Sequence, residues 1–95
     1  MPTVLIPTPL RKFTNHTSKV DISGGTIAEV ISNLVKEYPD IQKHLLDATG
    51  TVRAFINIFV DQDDIRSLQL QETKVPENSM ISLVPAIAGG NRKNG

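Results

Sequence analysis

The chain has 95 residues, of which 39% are hydrophobic and 21% charged, a composition typical of one globular domain rather than a disordered or fibrous protein. Ten Lys and Arg residues balance ten Asp and Glu residues, so the chain lacks the strong basic field that holds nucleic acid, and we expect no nucleic-acid partner. The sequence contains no cysteine, which excludes a disulfide, a thiol nucleophile and a thiolate metal site.

Two short strands are predicted near the N-terminus. In TVLIP, residues 3–7, Val4 and Ile6 share one face, and prolines close the strand. The apolar stretch here is too short for a signal peptide or a membrane span, so we expect a cytoplasmic protein with no membrane partner. After a loop over residues 8–17, the alternation in SKVDIS, residues 18–23, predicts a second strand that runs antiparallel to the first.

The clearest helix begins at Ile27, because apolar residues recur at helical spacing from there to Tyr38. Thr26 and Glu29 have the spacing of a capping box, in which the hydroxyl and the carboxylate each accept a hydrogen bond from a backbone amide. A proline at position 39 ends the helix, since it disfavours helical geometry at the residue before it. A second short helix is predicted over residues 40–47.

The second half of the chain predicts three more strands. AFINIFV, residues 54–60, is rich in β-branched and aromatic residues and alternates between two faces, with Ala54, Ile56, Ile58 and Val60 on one and Phe55, Asn57 and Phe59 on the other. The turn DQDD leads to a short return strand at residues 65–66. MISLVP, residues 80–85, predicts the last strand, which Pro85 ends.

This order of elements predicts the α+β class and a β-grasp (ubiquitin-like) fold, in which a mixed four- to five-stranded sheet packs on one main helix. The first and last strands then lie side by side in the middle of the sheet. Residues 1–85 form the domain in this interpretation. Residues 86–90 are a flexible diglycine tail, and residues 91–95 are a C-terminal extension.

Three segments of the chain resemble the ubiquitin-like sulfur carriers (ThiS/MoaD-like proteins), which end in a diglycine after a terminal strand. These segments are IPTPLRKFT, RAFINIFVDQDDIR and SLVPAIAGG, and they cover both ends and the centre of the chain. The resemblance is greatest to the carrier of the O-phosphoserine-dependent cysteine pathway. The carriers for thiamin and molybdopterin share the fold and the ending, so the pathway stays open.

The resemblance implies a protein co-substrate rather than an enzyme. An E1-like adenylating enzyme would use ATP to convert the Gly90 carboxylate into an acyl-adenylate, and sulfur would then replace AMP. The resulting thiocarboxylate would donate its sulfur to a sulfur-accepting synthase of the cysteine-synthase type. The carrier itself would bind no cofactor, and its partners would recognise the tail Ala86, Ile87, Ala88, Gly89 and Gly90.

The segment NRKNG after Gly90 departs from the family pattern, because a glycine inside a peptide bond has no carboxylate to activate. The resemblance implies that a zinc metallopeptidase cuts between Gly90 and Asn91. Two alternatives stay open: the extension is foreign to the natural protein, or the protein is not a carrier. In the second case the chain would be a non-catalytic binding module, or a small subunit of the molybdopterin-synthase type whose tail docks in a partner.

Strand parity predicts a partner-facing patch on the side of the sheet away from the helix. Its members are Leu5, Phe55, Phe59, Ser82 and Val84. The opposite, core face is then formed by Val4, Ile6, Ile56, Ile58, Ile81 and Leu83.

No metal site is expected. The aspartates at positions 61, 63 and 64 lack the glycine that a calcium loop needs at its sixth position, so they are interpreted as a hairpin turn. His16 and His44 lie far apart in the sequence and are interpreted as surface residues. Gly24 and Gly25 are interpreted as the turn into the main helix.

Overall fold

The computed structural model describes residues 1–85. None of the helices in this part of the chain is long and apolar enough to cross a membrane. The strands are β1 (Thr3–Leu5), β2 (Lys19–Asp21), β3 (Ile56–Val60), β4 (Asp63–Asp64) and β5 (Met80–Pro85), and the α-helices are α1 (Ile27–Glu37) and α2 (Gln42–Leu45). Short 3-10 helices cover Thr8–Phe13, Pro39–Ile41, Ile65–Ser67 and Leu70–Glu72.

The five strands form one mixed sheet in the order β2-β1-β5-β3-β4. β1 runs parallel to β5, with Val4 beside Ile81, and the other neighbouring pairs are antiparallel. The β-grasp fold predicted from the sequence is confirmed, and so is the position of the first strand beside the last. β5 therefore has a paired strand along both of its edges.

The hydrophobic core lies between α1 and one face of the sheet. On the helix, Ile27, Val30, Ile31 and Leu34 are at most 4% exposed, which places one apolar stripe against the strands. The six residues that strand parity placed on the core face are all buried, which confirms that part of the prediction; they are Val4, Ile6, Ile56, Ile58, Ile81 and Leu83.

The start of α1 is fixed by the predicted capping residues. The Thr26 hydroxyl accepts a hydrogen bond from the Glu29 amide at 3.3 Å, while the Glu29 carboxylate accepts from the Gly25 amide at 2.7 Å. The carboxylate thus reaches one residue further back than in the standard capping box. Gly24 has a φ of 152°, and a Cβ there would lie 2.7 Å from the Val30 side chain, so this turn requires glycine.

Near the N-terminus, the strands are shorter than predicted and the predicted loop contains a 3-10 helix. β1 ends at Leu5, because Pro7 has no amide to continue the ladder and its backbone begins the helix Thr8–Phe13. Leu10 of this helix is buried, and the Arg11 side chain donates to the Ile6 carbonyl at 2.9 Å.

The predictions for the middle of the chain need three corrections. β3 begins at Ile56 rather than at residue 54, because the Ile56 amide closes a turn with the Arg53 carbonyl. Ala54 is exposed, so it does not share the buried face of Ile56 as the alternation predicted. The return strand is Asp63–Asp64, and residues 65–67 form a 3-10 helix capped by the Asp64 side chain. The helix predicted over 40–47 is a 3-10 turn followed by α2, and it ends where Leu46 becomes extended.

Candidate functional site

The C-terminal tail leaves the domain from the end of β5. Pro85, the last residue described, lies opposite Ile56 at the start of β3, and the β3–β5 ladder holds it on that side, whereas β1 pairs with β5 only as far as Ser82. The chain that follows Pro85 therefore starts from a fixed point. The predictions for Ala86, Ile87, Ala88, Gly89, Gly90 and Asn91 lie outside the described residues.

The outer face of the sheet carries four of the five residues of the predicted patch. Leu5, Ser82 and Phe59 form one row across β1, β5 and β3, since Ser82 is in register with both of the others. All three are half-buried. Val84 follows on β5, opposite Asn57, and is 43% exposed.

Met80 extends this surface toward the other end of β5. It has the same strand parity as Ser82 and Val84, lies beside Thr3 and is 40% exposed. The sequence interpretation missed it, although the alternation in MISLVP contained the signal. We define the outer-face patch as Leu5, Phe59, Met80, Ser82 and Val84.

Charged residues flank the outer-face patch at both edges of the sheet. Lys19 and Asp21 on β2 lie beside Leu5 and Thr3, and the Asp21 carboxylate accepts from the Thr3 hydroxyl at 2.9 Å. At the other edge, Asp64 on β4 lies beside Phe59. The Arg66 guanidinium binds Asp64 through two nitrogens at 2.8 and 3.2 Å and lowers the pKa of this carboxyl group. An apolar centre with a charged rim is typical of a protein-docking surface.

Phe55, the fifth residue of the predicted patch, does not belong to a strand. It lies in the turn before β3, so strand parity does not determine its position. Its side chain is 47% exposed and lines a shallow cavity of about 310 Å³ together with Pro85 and Ile56. The structure thus places this aromatic ring beside the point where the tail leaves the domain.

The histidines and aspartates weighed as metal ligands have structural surroundings instead. His44 is half-buried and stacks on Phe13 with 4.3 Å between ring centroids, whereas His16 is exposed. Asp61 has a φ of 57° and its carboxylate accepts from the Met80 amide at 3.1 Å, which joins the β3–β4 turn to β5. Within residues 1–85, no three His, Asp or Glu side chains cluster as a metal site would require.

The sequence matches the model of the ThiS family over residues 4–90. It is 37% identical over 90 residues to the sulfur carrier protein CysO of Mycobacterium tuberculosis, covering 93% of this chain and 97% of that protein. The protein of the same name from Mycobacterium bovis gives the same identity and coverage.

Solved structures that resemble this chain include two that contain CysO proteins. The chain superposes on a structure of the Amycolatopsis orientalis BexX/CysO complex with a TM-score of 0.87 and 31% identity, covering 95% of this chain and all of the other. For CysO of M. tuberculosis the TM-score is 0.85 at 34% identity, with 92% of this chain and all of the other covered. Small archaeal modifier protein 1 of Methanosarcina acetivorans, at 24% identity, shares the fold with a TM-score of 0.81, and the alignment covers 94% of this chain and 95% of that one.

Proposed function

The chain belongs to the ThiS family, and from this membership we propose that it is a sulfur carrier that is activated at the Gly90 carboxylate. One observation carries the proposal: the family match runs through the whole domain and ends at residue 90, the second glycine. The 37% identity to a sulfur carrier over nearly the full length of both proteins supports the same role.

The position of β5 suits this role. Gly90 is the fifth residue after Pro85, and an extended chain of five residues reaches about 17 Å at ~3.4 Å per residue. The reacting carboxylate can therefore enter a partner's active site while the domain stays outside. Glycine suits the end of such a tail, because a residue without Cβ fits a narrow channel and adopts backbone angles closed to others.

The proposed chemistry takes place on a partner, an E1-like adenylating enzyme that uses ATP. A carboxylate oxygen of Gly90 attacks the α-phosphorus of ATP, pyrophosphate leaves, and the acyl-adenylate forms. Hydrosulfide, free or released from a persulfide by a thiol reductant, then attacks the carbonyl carbon, and AMP leaves with the original oxygen. The product is a thiocarboxylate, which donates its sulfur to a synthase of the cysteine-synthase type. The carrier binds no cofactor in this scheme and is not itself the enzyme.

Residues 91–95 must be absent for this reaction, because Gly90 has no free carboxylate while Asn91 follows it. We assign their removal to a zinc metallopeptidase, in which a metal-activated water would hydrolyse the Gly90–Asn91 bond. The tail residues 86–90 would be the part that each partner recognises. A cytoplasmic location stays a prediction.

The proposal is tested with two forms of the protein, the full chain and a chain that ends at Gly90. Each is incubated with ATP, sulfide and the adenylating enzyme of its own cell, and its intact mass is measured. We expect only the shorter form to gain the mass of one sulfur in place of one oxygen. Gly90→Val in the shorter form should keep the melting temperature of the domain and abolish the gain.

Two results would overturn the proposal. The first is sulfur incorporation into the uncut chain at the rate of the cut one, which would remove the need for processing. The second is a chain ending at Gly90 that binds the enzyme but is never adenylated. That outcome would make the protein a binding module or a small subunit whose tail only docks.

A further inference from the structure

We propose that the end of the domain from which the tail leaves is a basic docking surface for an acidic rim around the tail-binding channel of the adenylating enzyme. This inference rests on the proposed function, and it concerns a surface separate from the outer-face patch. Its observations are the cavity beside Pro85, the cations around it and the acidic residues at the opposite end of the sheet.

The cavity has a volume of about 310 Å³ and an apolar floor, to which Leu10 and Ile56 contribute. The charged or titratable side chains in its wall are those of Lys43, His44 and Arg53, and no Asp or Glu side chain lines it. Phe55 supplies an aromatic ring at its rim. A partner residue that enters this cavity therefore meets an apolar floor and positive charge in the walls.

Two further cations extend the positive surface. The Lys12 ammonium lies 5.4 Å from the centroid of the Phe13 ring, and that ring stacks on His44 of the cavity wall. Arg11 precedes Lys12 in the same 3-10 helix. We define the basic end as Arg11, Lys12, Lys43 and Arg53.

The cations of the basic end are available to a partner. Among residues 1–85, none of them has a carboxylate oxygen within 4.0 Å, since the two ion pairs of this region join Arg66 to Asp64 and the N-terminal amine to Glu77. Asp47 is an acidic residue whose charge acts on Arg53, and its Oδ1 is held by hydrogen bonds from the hydroxyl and amide of Thr49 and from the Thr51 amide. Asp40 and Asp47 line a neighbouring cavity, to which Lys43 and Arg53 also contribute, but neither aspartate lines the one beside Pro85.

The topology collects the cations at one end of the sheet. β1 and β5 are parallel and β3 is antiparallel to them, so the end of β1, the end of β5 and the start of β3 meet there. Acidic residues lie at the opposite end of the sheet, namely Asp21 at the end of β2, Asp61 after β3 and Glu77 before β5. The cavity beside Pro85 thus has cations and no carboxylate in its wall, whereas acidic residues lie at the opposite end of these strands.

Charge complementarity identifies the occupant as a carboxylate-bearing segment of the protein that receives the tail. The basic end surrounds the point from which the tail enters the partner, so the surface of the partner next to its channel entrance must face it. Opposite charges at such a rim raise the association rate and orient the encounter, and salt weakens the effect.

The test measures the adenylation of chains that end at Gly90 by the adenylating enzyme, as KM for the carrier and kcat, at low and high salt. We expect Lys43→Glu to raise KM about tenfold at low salt, because it places a carboxylate against the acidic rim. The kcat should stay unchanged, because Lys43 does not touch the reacting carboxylate. High salt should reduce the difference to within about twofold.

Lys74→Glu is the matched control, because it makes the same charge change on an exposed lysine that pairs with Thr26 at the start of α1, away from Pro85. It should change KM less than about twofold. Lys12→Glu is the second test variant in case Lys43→Glu lowers the melting temperature, and Lys43→Arg should behave as the unmodified protein.

If Lys43→Glu and Lys12→Glu are adenylated with the KM of the unmodified chain, or Lys74→Glu changes KM as much as they do, this inference is overturned while the sulfur-carrier proposal stands. A salt-independent change in KM would also overturn it. If the enzyme adenylates none of the chains, the unmodified one included, both proposals fail.

Discussion

Val84 allows a quantitative test of the outer-face patch. Val84→Ala removes two methyl groups worth about 0.8 kcal/mol each on complete burial, and the side chain is 43% exposed in the free domain. If docking buries that remainder, the loss is about 0.7 kcal/mol, which corresponds to an approximately threefold weaker Kd. Val84→Asp should weaken binding far more, because docking would bury a carboxylate. The residue opposite is Asn57, which offers that carboxylate no positive charge. An additional cost of about 2 kcal/mol or more brings the loss to roughly 100-fold.

Leu68 provides the control for this prediction. It is 44% exposed, almost the same as Val84, but lies after the 3-10 helix Ile65–Ser67 and outside the outer-face patch. Leu68→Ala and Leu68→Asp should bind like the unmodified protein. The measurement is isothermal titration of each chain ending at Gly90 into the adenylating enzyme without ATP, with a thermal melt of every variant. Equal losses at Leu68 and Val84, or a folded Val84→Asp that binds normally, would refute the assignment of this face.

Three further predictions concern the stability of the domain. Gly24→Ala should lower the free energy of unfolding by about 2–4 kcal/mol in urea titrations. The added Cβ would lie 2.7 Å from the Val30 side chain, and residues other than glycine rarely adopt the backbone conformation of Gly24. An unchanged urea midpoint would show that the turn can relax. Ser79→Ala should keep or raise the melting temperature, because this hydroxyl is buried without a hydrogen-bond partner in the described part of the chain; a marked decrease would reveal a missed partner. Asp47→Asn should have a lower melting temperature than the unmodified protein at pH 7, and this difference should disappear as the pH falls below about 4. The hydroxyl of Thr49 and then the Thr51 amide lower the pKa of Asp47 in the folded state. The stability that Asp47 contributes is therefore present above the ordinary aspartate pKa and is lost as the pH falls through the pKa of the folded state. A difference in melting temperature that does not depend on pH would contradict this.

The parts of the fold that could be predicted are those in which one signal dominates a whole element. In α1, helical spacing, the cap at Thr26 and the proline at position 39 agree with one another, and the helix ends within one residue of the expected position. The six residues of β5 were predicted with their bounds, because their alternation continues to a proline. The mixed sheet then followed from the order of elements.

The parts that could not be predicted depend on a competing local hydrogen bond. The alternation in AFINIFV continues through Ala54 and Phe55, and nothing in that pattern reveals that the Ile56 amide bonds to Arg53 and ends the strand there. The same holds for Asp64, whose side chain caps a 3-10 helix where a return strand was expected. In both places a locally hydrogen-bonded turn overrides strand propensity.

The basic end was hidden from the sequence for a different reason. Its cations come from three segments, around residues 11–12, 43 and 53, and no spacing along the chain relates them. Only the strand order brings the 3-10 helix after β1, the helix α2 and the turn before β3 to the end of β5. Local patterns reveal elements and faces, whereas surfaces assembled from distant segments require the tertiary structure.

The outer-face patch and the basic end meet at the end of β5, and this has a consequence for how a partner binds the tail. Val84 lies on the outer face of the strand, and Pro85, the next residue, lines the cavity at its end. A partner that receives the tail in line with β5 therefore contacts the apolar patch and the basic end at the same time. Apolar burial acts at short range and slows dissociation, whereas charge acts over about 10 Å and speeds association. The patch would then determine how long the carrier stays bound, and the basic end how fast its tail finds the channel. In the proposed scheme Gly90 leaves one enzyme before it reaches the next, so a patch of moderate strength would serve such a carrier better than a tight one.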